Sequence, residues 1–435
     1  MTNEVLDNAR SLMSFLDRSP VNFLAVRTLT ELLDDAGFQR LAPEDQWTLE
    51  PEGRYYVTVN SSALFAFIAP SAPADPAAGF RIIAAHSDSP TFRVKPAAEM
   101  TKEGVMRLNV EVYGGPIMST WFDRPLSLAG RVVVRGESAL RPISTCICIE
   151  RPLLTIPNLA IHFNRQVNDG YHYSPQKDLQ PVIGLVSDSL EKGDTLLGLV
   201  ADAADCRRED ILDFDLSLYD TTPACLLGLD NEFLQSGRLD DLGMVHAALT
   251  ALLEADLRSD QTRVMAIFDN EETGSGTKQG AGSPQLAHLL ERIVGALGGS
   301  REDWLRSIAA SFMVSADNAH GFHPNYPEKY DPTNHPRLGG GPVVKINARC
   351  KYMTDADSAA VFRAICEQAE VPCQYFVNHS DVAGGSTLGN ILSGSIPLRG
   401  VDMGAPIWAM HSARETMANV DHTSTIRAFS TFYNL

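Results

Sequence analysis

Two adjacent carboxylates, Glu271 and Glu272, carry the strongest chemical signal in the chain. They follow the short apolar run 263–268, which predicts a buried strand, and they precede the turn sequence Thr-Gly-Ser-Gly at 273–276. Neighbouring acids at the end of a buried strand repel each other, and their desolvation is costly unless cations or protons compensate. An isolated Glu-Glu pair is more often a solvated acidic loop, so the pair alone does not define a site.

Four other segments repeat this design, with a metal-ligand residue type after an apolar run or at the start of a helix. In an open α/β sheet, ligands bind beyond the carboxyl ends of the strands, so side chains at those ends can converge. The residues concerned are His86 after 82–85, Asp240 after 238–239, Asp317 after 312–316 and His411 after 407–410. Two imidazoles and three or four carboxylates suit Zn²⁺, Mn²⁺ or Co²⁺.

Charge counting favours two metal ions over one. Asp240, Glu272 and Asp317 bring -3 against +4 from two divalent ions, and a bound hydroxide brings the sum to zero. A single ion would leave excess negative charge in a dry cleft. We expect Asp240 to bridge the two ions, about 3.5–4 Å apart. The first ion is assigned to His86, Asp240 and Asp317, and the second to Asp240, Glu272 and His411.

Glu271 is left without a metal in this assignment. Next to Glu272 and directed at the bridging water, it could take the proton of that water and pass it to a leaving amine. Asp88, two residues after His86, could orient the imidazole by accepting a hydrogen bond from its other nitrogen. The predicted chemistry is metal-assisted amide hydrolysis.

Each motif alone has a simpler interpretation. The His-Ser-Asp run 86–88 is commonly a capped turn, and Asp240 could serve only as a helix cap. Asp317 and His411 carry little weight when taken singly. It is the occurrence of all the motifs in matching strand-end contexts that favours a metal site.

The pattern of apolar runs predicts an α/β protein interrupted by a β-rich segment. Residues 1–91 and 236–435 alternate apolar strands with amphipathic helices, which implies a mostly parallel sheet flanked by helices. Residues 92–235 instead have short strands with period-two alternation and frequent turns. We therefore predict a catalytic domain in two parts, 1–91 and 236–435, with a β-rich domain inserted at 92–235. Within this insert, 156–178 is predicted to form a projecting arm.

Composition excludes several classes of protein. The 435 residues are 44% hydrophobic and 21% charged, as in ordinary globular proteins. The net charge of -18 argues against a nucleic-acid partner, because phosphate binding needs a basic face. No apolar run approaches the roughly 18 residues that span a bilayer, and the first 20 residues alternate as an amphipathic helix, unlike a secretory signal. Seven scattered cysteines favour a reducing, cytoplasmic location.

In these motifs the sequence resembles the M18 metallopeptidases, the aspartyl aminopeptidase family. The matching segments run in the expected order over nearly the whole chain. They are Ala85–Pro90 (AHSDSP), Arg238–Asp240 (RLD), Asp269–Ser275 (DNEETGS), Ser315–His320 (SADNAH) with His323–Tyr326 (HPNY), Gly341–Lys345 (GPVVK) and Met410–Glu415 (MHSARE). The resemblance implies a zinc-aminopeptidase fold interrupted by a dimerisation domain and built from dimers into a homododecamer. It also implies release of amino-terminal Asp or Glu from peptides.

The resemblance also implies roles for individual residues. It makes His86, Asp240, Glu272, Asp317 and His411 the ligands of two zinc ions and Glu271 the general base. Its substrate contacts fall on His162, His320, Lys345 and Tyr352, and His162, on the predicted arm, would reach the site of a neighbouring subunit. One departure is Asp241, where the family often has Asn. A carboxylate beside the bridging Asp240 could accept a hydrogen bond behind the ligands or tune the metal affinity.

The residues themselves support an acidic substrate and leave two rival functions. A substrate carboxylate needs a cation in its pocket, and Lys345 before a site loop, with His320 nearby in sequence, could supply it. The nearest rival is a carboxypeptidase or N-acyl amino-acid deacylase that uses the same metals. The other rival is a shell-forming protein without turnover, which the intact ligand positions and Glu271 argue against.

Overall fold

The computed structural model describes residues 2–186 and 194–435, and within them it forms three sheets and a set of flanking helices. The helices are α1 (Asn3–Arg18), α2 (Asn22–Asp35), α3 (Pro175–Asp178), α4 (Thr195–Ala204), α5 (Leu239–Leu253), α6 (Gln285–Ala296), α7 (Arg301–Ala310), α8 (Ala356–Gln368), α9 (Leu388–Ser395) and α10 (Asn419–Tyr433). Nowhere in these described ranges is there a helix with the length and apolar character needed to cross a membrane.

The strands are short in most of the chain and longest in the inserted segment. In chain order they are β1 (Gln39–Arg40), β2 (Arg54–Val59), β3 (Ala63–Ile68), β4 (Phe80–His86), β5 (Thr91–Lys102), β6 (Val105–Tyr113), β7 (Leu126–Ser138), β8 (Arg141–Cys148), β9 (Val182–Leu185), β10 (Ile211–Asp220), β11 (Cys225–Leu227), β12 (Phe233–Ser236), β13 (Thr262–Phe268), β14 (Phe312–Ala316), β15 (Ala319–His320), β16 (Val343–Ile346), β17 (Gln374–Val377), β18 (Arg399–Gly404), β19 (Pro406–Trp408) and β20 (Glu415–Ala418).

The largest sheet has nine strands in the order β1-β2-β3-β13-β4-β14-β18-β16-β17. Its centre is parallel, because β13, β4, β14 and β18 pair in parallel with their neighbours in that run. The antiparallel pairs are β2 with β3, β3 with β13 and β16 with β18. The predicted α/β fold with a mostly parallel sheet is confirmed.

This sheet is buried on both faces, as a parallel sheet must be. Along β13, Met265 and Ile267 pack into one layer, whereas Val264, Ala266 and Phe268 pack into the other. Helices α1, α2, α5, α8 and α10 cover the first face, and α6, α7 and α9 cover the second. Because successive side chains point to opposite faces, the unbroken apolar run in the sequence fills both layers.

The other two sheets are smaller. A six-stranded antiparallel sheet, β8-β7-β10-β5-β6-β9, lies between Thr91 and Asp220 and has its own apolar core. A five-stranded sheet, β11-β12-β20-β19-β15, joins residues 225–236 to the carboxyl-terminal part of the chain. The strands β11 and β12 therefore pair outside the six-stranded sheet although they fall within the predicted insert 92–235. The domain boundaries themselves stay a prediction.

Candidate metal centre

Three neighbouring strands of the large sheet carry part of the predicted site at their carboxyl ends. His86 is the last residue of β4, Glu271 and Glu272 follow β13 in a short turn, and Asp317 follows β14. Since β13, β4 and β14 are adjacent and parallel, with Phe268 opposite His86, their ends meet at one edge of the sheet.

Asp240 and His411 reach the same place from the five-stranded sheet. Asp240 follows β12, and His411 follows β19 in a turn where its φ is 69°. Asp240 and Asp241 have non-helical backbone angles, so the regular part of α5 begins after them and not at Asp240 as the sequence suggested. The expectation that one sheet edge collects all the ligands is therefore wrong for these two, because a second sheet supplies them.

Asp240 lies between the two imidazoles. One oxygen, Oδ1, is 3.8 Å from His86 Nε2, and the other, Oδ2, is 3.4 Å from His411 Nε2. His411 Nε2 is also 3.3 Å from Glu272 Oε2. The ligand atoms of Asp240, Glu272 and His411 lie within 4.8 Å of one another, as do those of His86, Glu271 and Glu272. Such a carboxylate can bridge two cations.

The residues present fit a metal centre by their unsatisfied oxygens. Asp240 Oδ1, Asp241 Oδ1 and Glu272 Oε1 are buried and have no hydrogen-bond partner in the part of the chain that the structure describes. A buried polar atom without a partner is costly, and carboxylate oxygens with imidazole nitrogens form a donor set for Zn²⁺, Mn²⁺ or Co²⁺.

The acids and imidazoles shift one another's proton affinity strongly. Burial, followed by repulsion from Asp317 and Asp240, raises the pKa of Glu271 to about 8. Burial would lower the pKa of His411, but its hydrogen bond to Asp240 and the charge of Glu272 outweigh this and raise the pKa to about 10. Without cations, protons must balance the negative charge, so metal binding and proton release are coupled here.

Asp88 has a different contact from the one predicted. His86 Nδ1 lies 3.0 Å from the main-chain oxygen of Asp88, whereas the carboxylate is 3.4 Å away. The Asp88 carboxylate instead accepts from the main-chain N–H groups of Glu271 at 3.1 Å and Glu272 at 3.2 Å. It thus orients the two acids more directly than it orients the imidazole.

Two further carboxylates hold the ligand backbones: Asp241, which was expected to accept a hydrogen bond behind the ligands or to tune metal affinity, and Glu415, for which no role was predicted. Glu415 accepts from the main-chain N–H of His411 at 2.7 Å and of Asp240 at 3.1 Å. Asp241 accepts from the main-chain N–H of His86 at 3.1 Å. Both are fully buried. Their positions beside motif residues were the only sequence signal for them.

Asp317 forms an ion pair with a lysine side chain. Lys345 Nζ on β16 is 2.9 Å from Asp317 Oδ1 and 5.8 Å from the ring centre of Tyr352. Burial would lower the pKa of Lys345, but the charge of Asp317 outweighs it and raises that pKa, so the amine is charged. His320 on β15 packs its ring 5.7 Å from that of Phe376. Among the described residues, the sets of ligand atoms within 4.8 Å of one another do not include Asp317.

His162 is the predicted site residue that lies apart from the others. It is exposed on the arm 156–178, and the described residues include no hydrogen bond or ion pair from its side chain to the metal centre. Leu159, Ile161 and Phe163 around it are also exposed, at 59%, 47% and 81%.

Comparison with known proteins identifies the family. A family model described as aminopeptidase I zinc metalloprotease (M18) matches residues 15–433. The probable M18 family aminopeptidase 2 of Clostridium novyi (strain NT) is 48% identical over 428 residues, which cover 98% of each chain. A chain in the cryo-EM structure of the Ape4 and Nbr1 complex matches with a TM-score of 0.94 and 38% identity, covering 99% of this chain and 86% of that chain. The S. cerevisiae mApe1 dodecamer matches with a TM-score of 0.85 and 27% identity, covering 98% and 96%. The predicted resemblance is confirmed: the chain belongs to the M18 family of zinc metallopeptidases and is an aminopeptidase.

Proposed function

We propose that the protein is a two-metal aminopeptidase that removes acidic residues from the amino terminus of peptides. His86, Asp240 and Asp317 would hold one divalent ion, and Asp240, Glu272 and His411 the other. The observation that carries this proposal is Asp240, whose two oxygens face different imidazoles. A buried oxygen of the neighbouring Glu272 also lacks a hydrogen-bond partner within residues 2–186 and 194–435. Zinc is the preferred ion, given the family, and the same donors accept Mn²⁺ or Co²⁺.

Glu271 is the proposed general base. When bound, the ions would supply a water of lowered pKa and polarise the scissile carbonyl. Asp88 accepts a hydrogen bond from the main-chain N–H of Glu271 and so fixes its position. The Glu271 carboxylate would take the proton from the water and deliver it to the leaving amine. Burial and the neighbouring carboxylates raise the pKa of Glu271 to about 8 in the metal-free site. Two bound cations would lower it, which favours the carboxylate form that a general base needs.

A Glu271→Gln variant tests this role. It should keep the metal content of the wild type and lose turnover by about 10²- to 10⁴-fold, because an amide cannot take a proton. Glu254→Gln makes the same chemical change at an exposed helix end and should leave turnover unaltered. Metal analysis together with steady-state kinetics gives the result, and unchanged turnover in Glu271→Gln would refute the role.

Lys345 supports the preference for an acidic first residue. It is a buried, charged amine beside Asp317 and Tyr352, on a strand whose end faces the proposed site. A fixed ammonium group there can pair with a substrate carboxylate, and His320 would add a second polar contact. The net charge of -18 would repel acidic peptides at long range, but screening limits this repulsion to about 8 Å at physiological salt. A local cationic pocket can therefore still bind them.

A panel of Asp-, Glu-, Leu- and Ala-anilides with N-acyl amino acids separates the alternatives. We expect turnover of the Asp and Glu substrates to exceed that of the apolar ones by at least about tenfold. Family membership already disfavours a carboxypeptidase or deacylase. Activity on the acyl amino acids alone would reverse the assignment, and no turnover with metal bound would favour the shell-forming alternative.

We also propose self-association into a homododecamer built from dimers, in the cytoplasm. The S. cerevisiae relative is described as a dodecamer, and the exposed apolar side chains of the arm 156–178 are suited to a protein contact. All seven cysteines are free thiols, which supports a reducing compartment.

Alanine substitutions of two histidines on the arm test whether the arm reaches a neighbouring subunit's site. If His162 enters a neighbour's site, His162→Ala should lower turnover without changing the mass measured by light scattering. His172→Ala, an exposed histidine on the same arm, is the matched control. A monomeric wild type with full activity would contradict this part of the proposal.

A further inference from the structure

Residues at the end of β6 leave the six-stranded sheet and enter the metal centre. Tyr113 Oη lies 2.7 Å from Asp88 Oδ2. Gly114 has a φ of 69°, and a Cβ placed on it would lie 3.1 Å from Glu272 Cβ. The carbonyl oxygen of Gly115 lies 3.0 Å from His411 Nδ1. Three consecutive residues of the insert therefore touch three different parts of the site.

The Tyr113 hydroxyl is part of a chain of hydrogen bonds that ends at the two catalytic acids. It donates to the Asp88 carboxylate and accepts from Asn270 Nδ2 at 2.8 Å. The same carboxylate accepts from the main-chain N–H groups of Glu271 and Glu272. Burial and the charge of Asp88 raise the pKa of Tyr113, so the phenol stays protonated and keeps its donor.

The residues after Tyr113 hold the turn that carries His411. The Gly115 carbonyl accepts from His411 Nδ1, which leaves Nε2 facing Asp240 and Glu272. The main-chain N–H of Ile117 donates to the His411 carbonyl at 2.9 Å. Thr120 Oγ1 accepts from the main-chain N–H of Ala413 at 2.9 Å. His411 has a positive φ, a conformation that needs surrounding contacts to persist.

The six-stranded sheet supplies a fixed base for these contacts. Tyr113 is paired with Thr91 in the ladder between β5 and β6. The guanidinium of Arg93 lies 5.7 Å from the Tyr113 ring centre, and its Nη2 is 2.9 Å from Asp215 Oδ1. Asp215 in turn pairs with Arg131, whose Nη1 donates to the main-chain oxygen of Asn60, between β2 and β3 of the large sheet. The Tyr113 ring therefore lies beside a charge network that links the six-stranded sheet to the large sheet.

We propose that the 113–120 segment, the last residue of β6 and the residues that follow it, positions Glu271, Glu272 and His411. The inserted sheet then contributes to turnover as well as to assembly. Tyr113 acts through Asp88 on Glu271 and Glu272, and Gly115 with Thr120 acts on His411. These are positioning residues, because none of them touches the reacting atoms. The inference rests on the proposed roles of Glu271 and the metal ligands.

Tyr113→Phe tests the first contact. It removes only the hydroxyl, so kcat should fall by about 10- to 100-fold, as is typical when a partner of a catalytic or ligand group is lost. KM should stay within about threefold, because the phenol touches no substrate. Thermal unfolding of the metal-free protein should match that of the control below.

Tyr56→Phe is the matched control. Tyr56 also donates its phenol to a carboxylate, Asp34 Oδ1 at 2.8 Å, but on β2 away from the ligands. It should keep the kcat of the wild type. If kcat of Tyr113→Phe stays within about twofold of this control, the positioning role is refuted. An inactive wild type would instead contradict the proposed function, so the two failures are distinguishable.

Thr120 gives a second test that does not depend on Tyr113. Thr120→Val leaves the N–H of Ala413 without its acceptor, so the dissociation constant for zinc, measured by chelator competition, should rise by about 10-fold or more. Thr120→Ser keeps the hydroxyl and should restore the wild-type value. Equal zinc affinity in the Val and Ser variants would overturn the role of the 113–120 segment in holding His411.

Discussion

At the scale of residues, the carboxylates of the site fall into two groups by what their oxygens contact. Asp88, Asp241 and Glu415 accept hydrogen bonds from main-chain N–H groups of the neighbouring motifs. Asp240 and Glu272 each keep a buried oxygen without a partner among the described residues, and Asp241 has one such oxygen, Oδ1, besides the one that accepts from His86. The first group fixes the backbone, and the second is where a cation is needed to offset the cost of burial. Acids that look equivalent in the sequence therefore have different roles, either as acceptors for the backbone or as proposed metal ligands.

Asp241→Asn follows from this division. Asn keeps an oxygen that can accept from the N–H of His86, and it removes a carboxyl whose pKa burial and the neighbouring Asp317 raise well above its usual range. The free energy of unfolding of the metal-free variant should be equal to that of the wild type or higher. Asp241→Ala should lower it by about 1–3 kcal/mol, because the N–H loses its acceptor. Denaturant titration of both variants measures the difference, and a large loss in Asp241→Asn would contradict it.

At the scale of elements, the site depends on how closely strands and turns approach one another. Asp317 follows β14, and its main-chain N–H bonds to Met403 on β18. Gly404 lies opposite, where a Cβ would overlap the carbonyl oxygen of Asp317. The absence of a side chain at Gly404 therefore sets where Asp317 lies relative to Lys345.

Gly404→Ala should displace β14 from β18 at the metal centre. We expect the free energy of unfolding to fall by about 1–3 kcal/mol, because the clash is with backbone, and zinc affinity to fall with it. Gly394→Ala in α9 is the control, since a Cβ there meets no atom within 4 Å. In a helix this control should be unchanged or up to about 1 kcal/mol more stable. Equal stability of the two variants would contradict the argument.

Asp421 on α10 ties that helix to the loop 339–341. Its two oxygens accept from the N–H groups of Gly339 and Gly341, each at 2.7 Å, and burial raises its pKa from 3.8 to about 7. The folded protein thus holds this proton more tightly than the unfolded chain does. Its contribution to stability is complete below about pH 4 and is lost as the pH rises through about 7.

The stability of Asp421→Asn, measured as a function of pH, tests whether the contribution of Asp421 falls as the pH rises. The stability difference between wild type and variant should fall between pH 4 and 7 by at most about 1.4 kcal/mol per pH unit, and should level off above pH 8. Asp381→Asn, with a side chain 93% exposed, should give no such slope. A difference that grows with pH would show that the carboxylate is the favoured form.

At the scale of the whole molecule, the centre forms where two sheets and the insert meet. The large sheet brings His86, Glu271, Glu272 and Asp317, and the five-stranded sheet brings Asp240 and His411. The 113–120 segment closes the arrangement from the six-stranded sheet. Ions bound at this junction would hold all three parts together, so metal binding and global stability should be coupled.

Removal of the metal should therefore lower thermal stability as well as activity. At a free zinc concentration of 100 times the dissociation constant, binding adds about 2.7 kcal/mol per site to the free energy of unfolding. Calorimetry of chelator-treated protein should show a lower Tm that zinc, Mn²⁺ or Co²⁺ restores. A Tm that does not change on metal removal and return would contradict the coupling.

The fold class and the residue types of the proposed site could be predicted from the sequence. Unbroken apolar runs such as 263–268 must be buried on both faces, and the acids and imidazoles that follow them are visible as local motifs. The sequence could not predict that Asp240 and His411 come from a second sheet, that Asp88 contacts the backbone of Glu271 and Glu272, or that Tyr113 and Glu415 support the site. Those contacts join segments far apart in the chain, and periodicity records only which face a residue occupies, not which distant partner it meets.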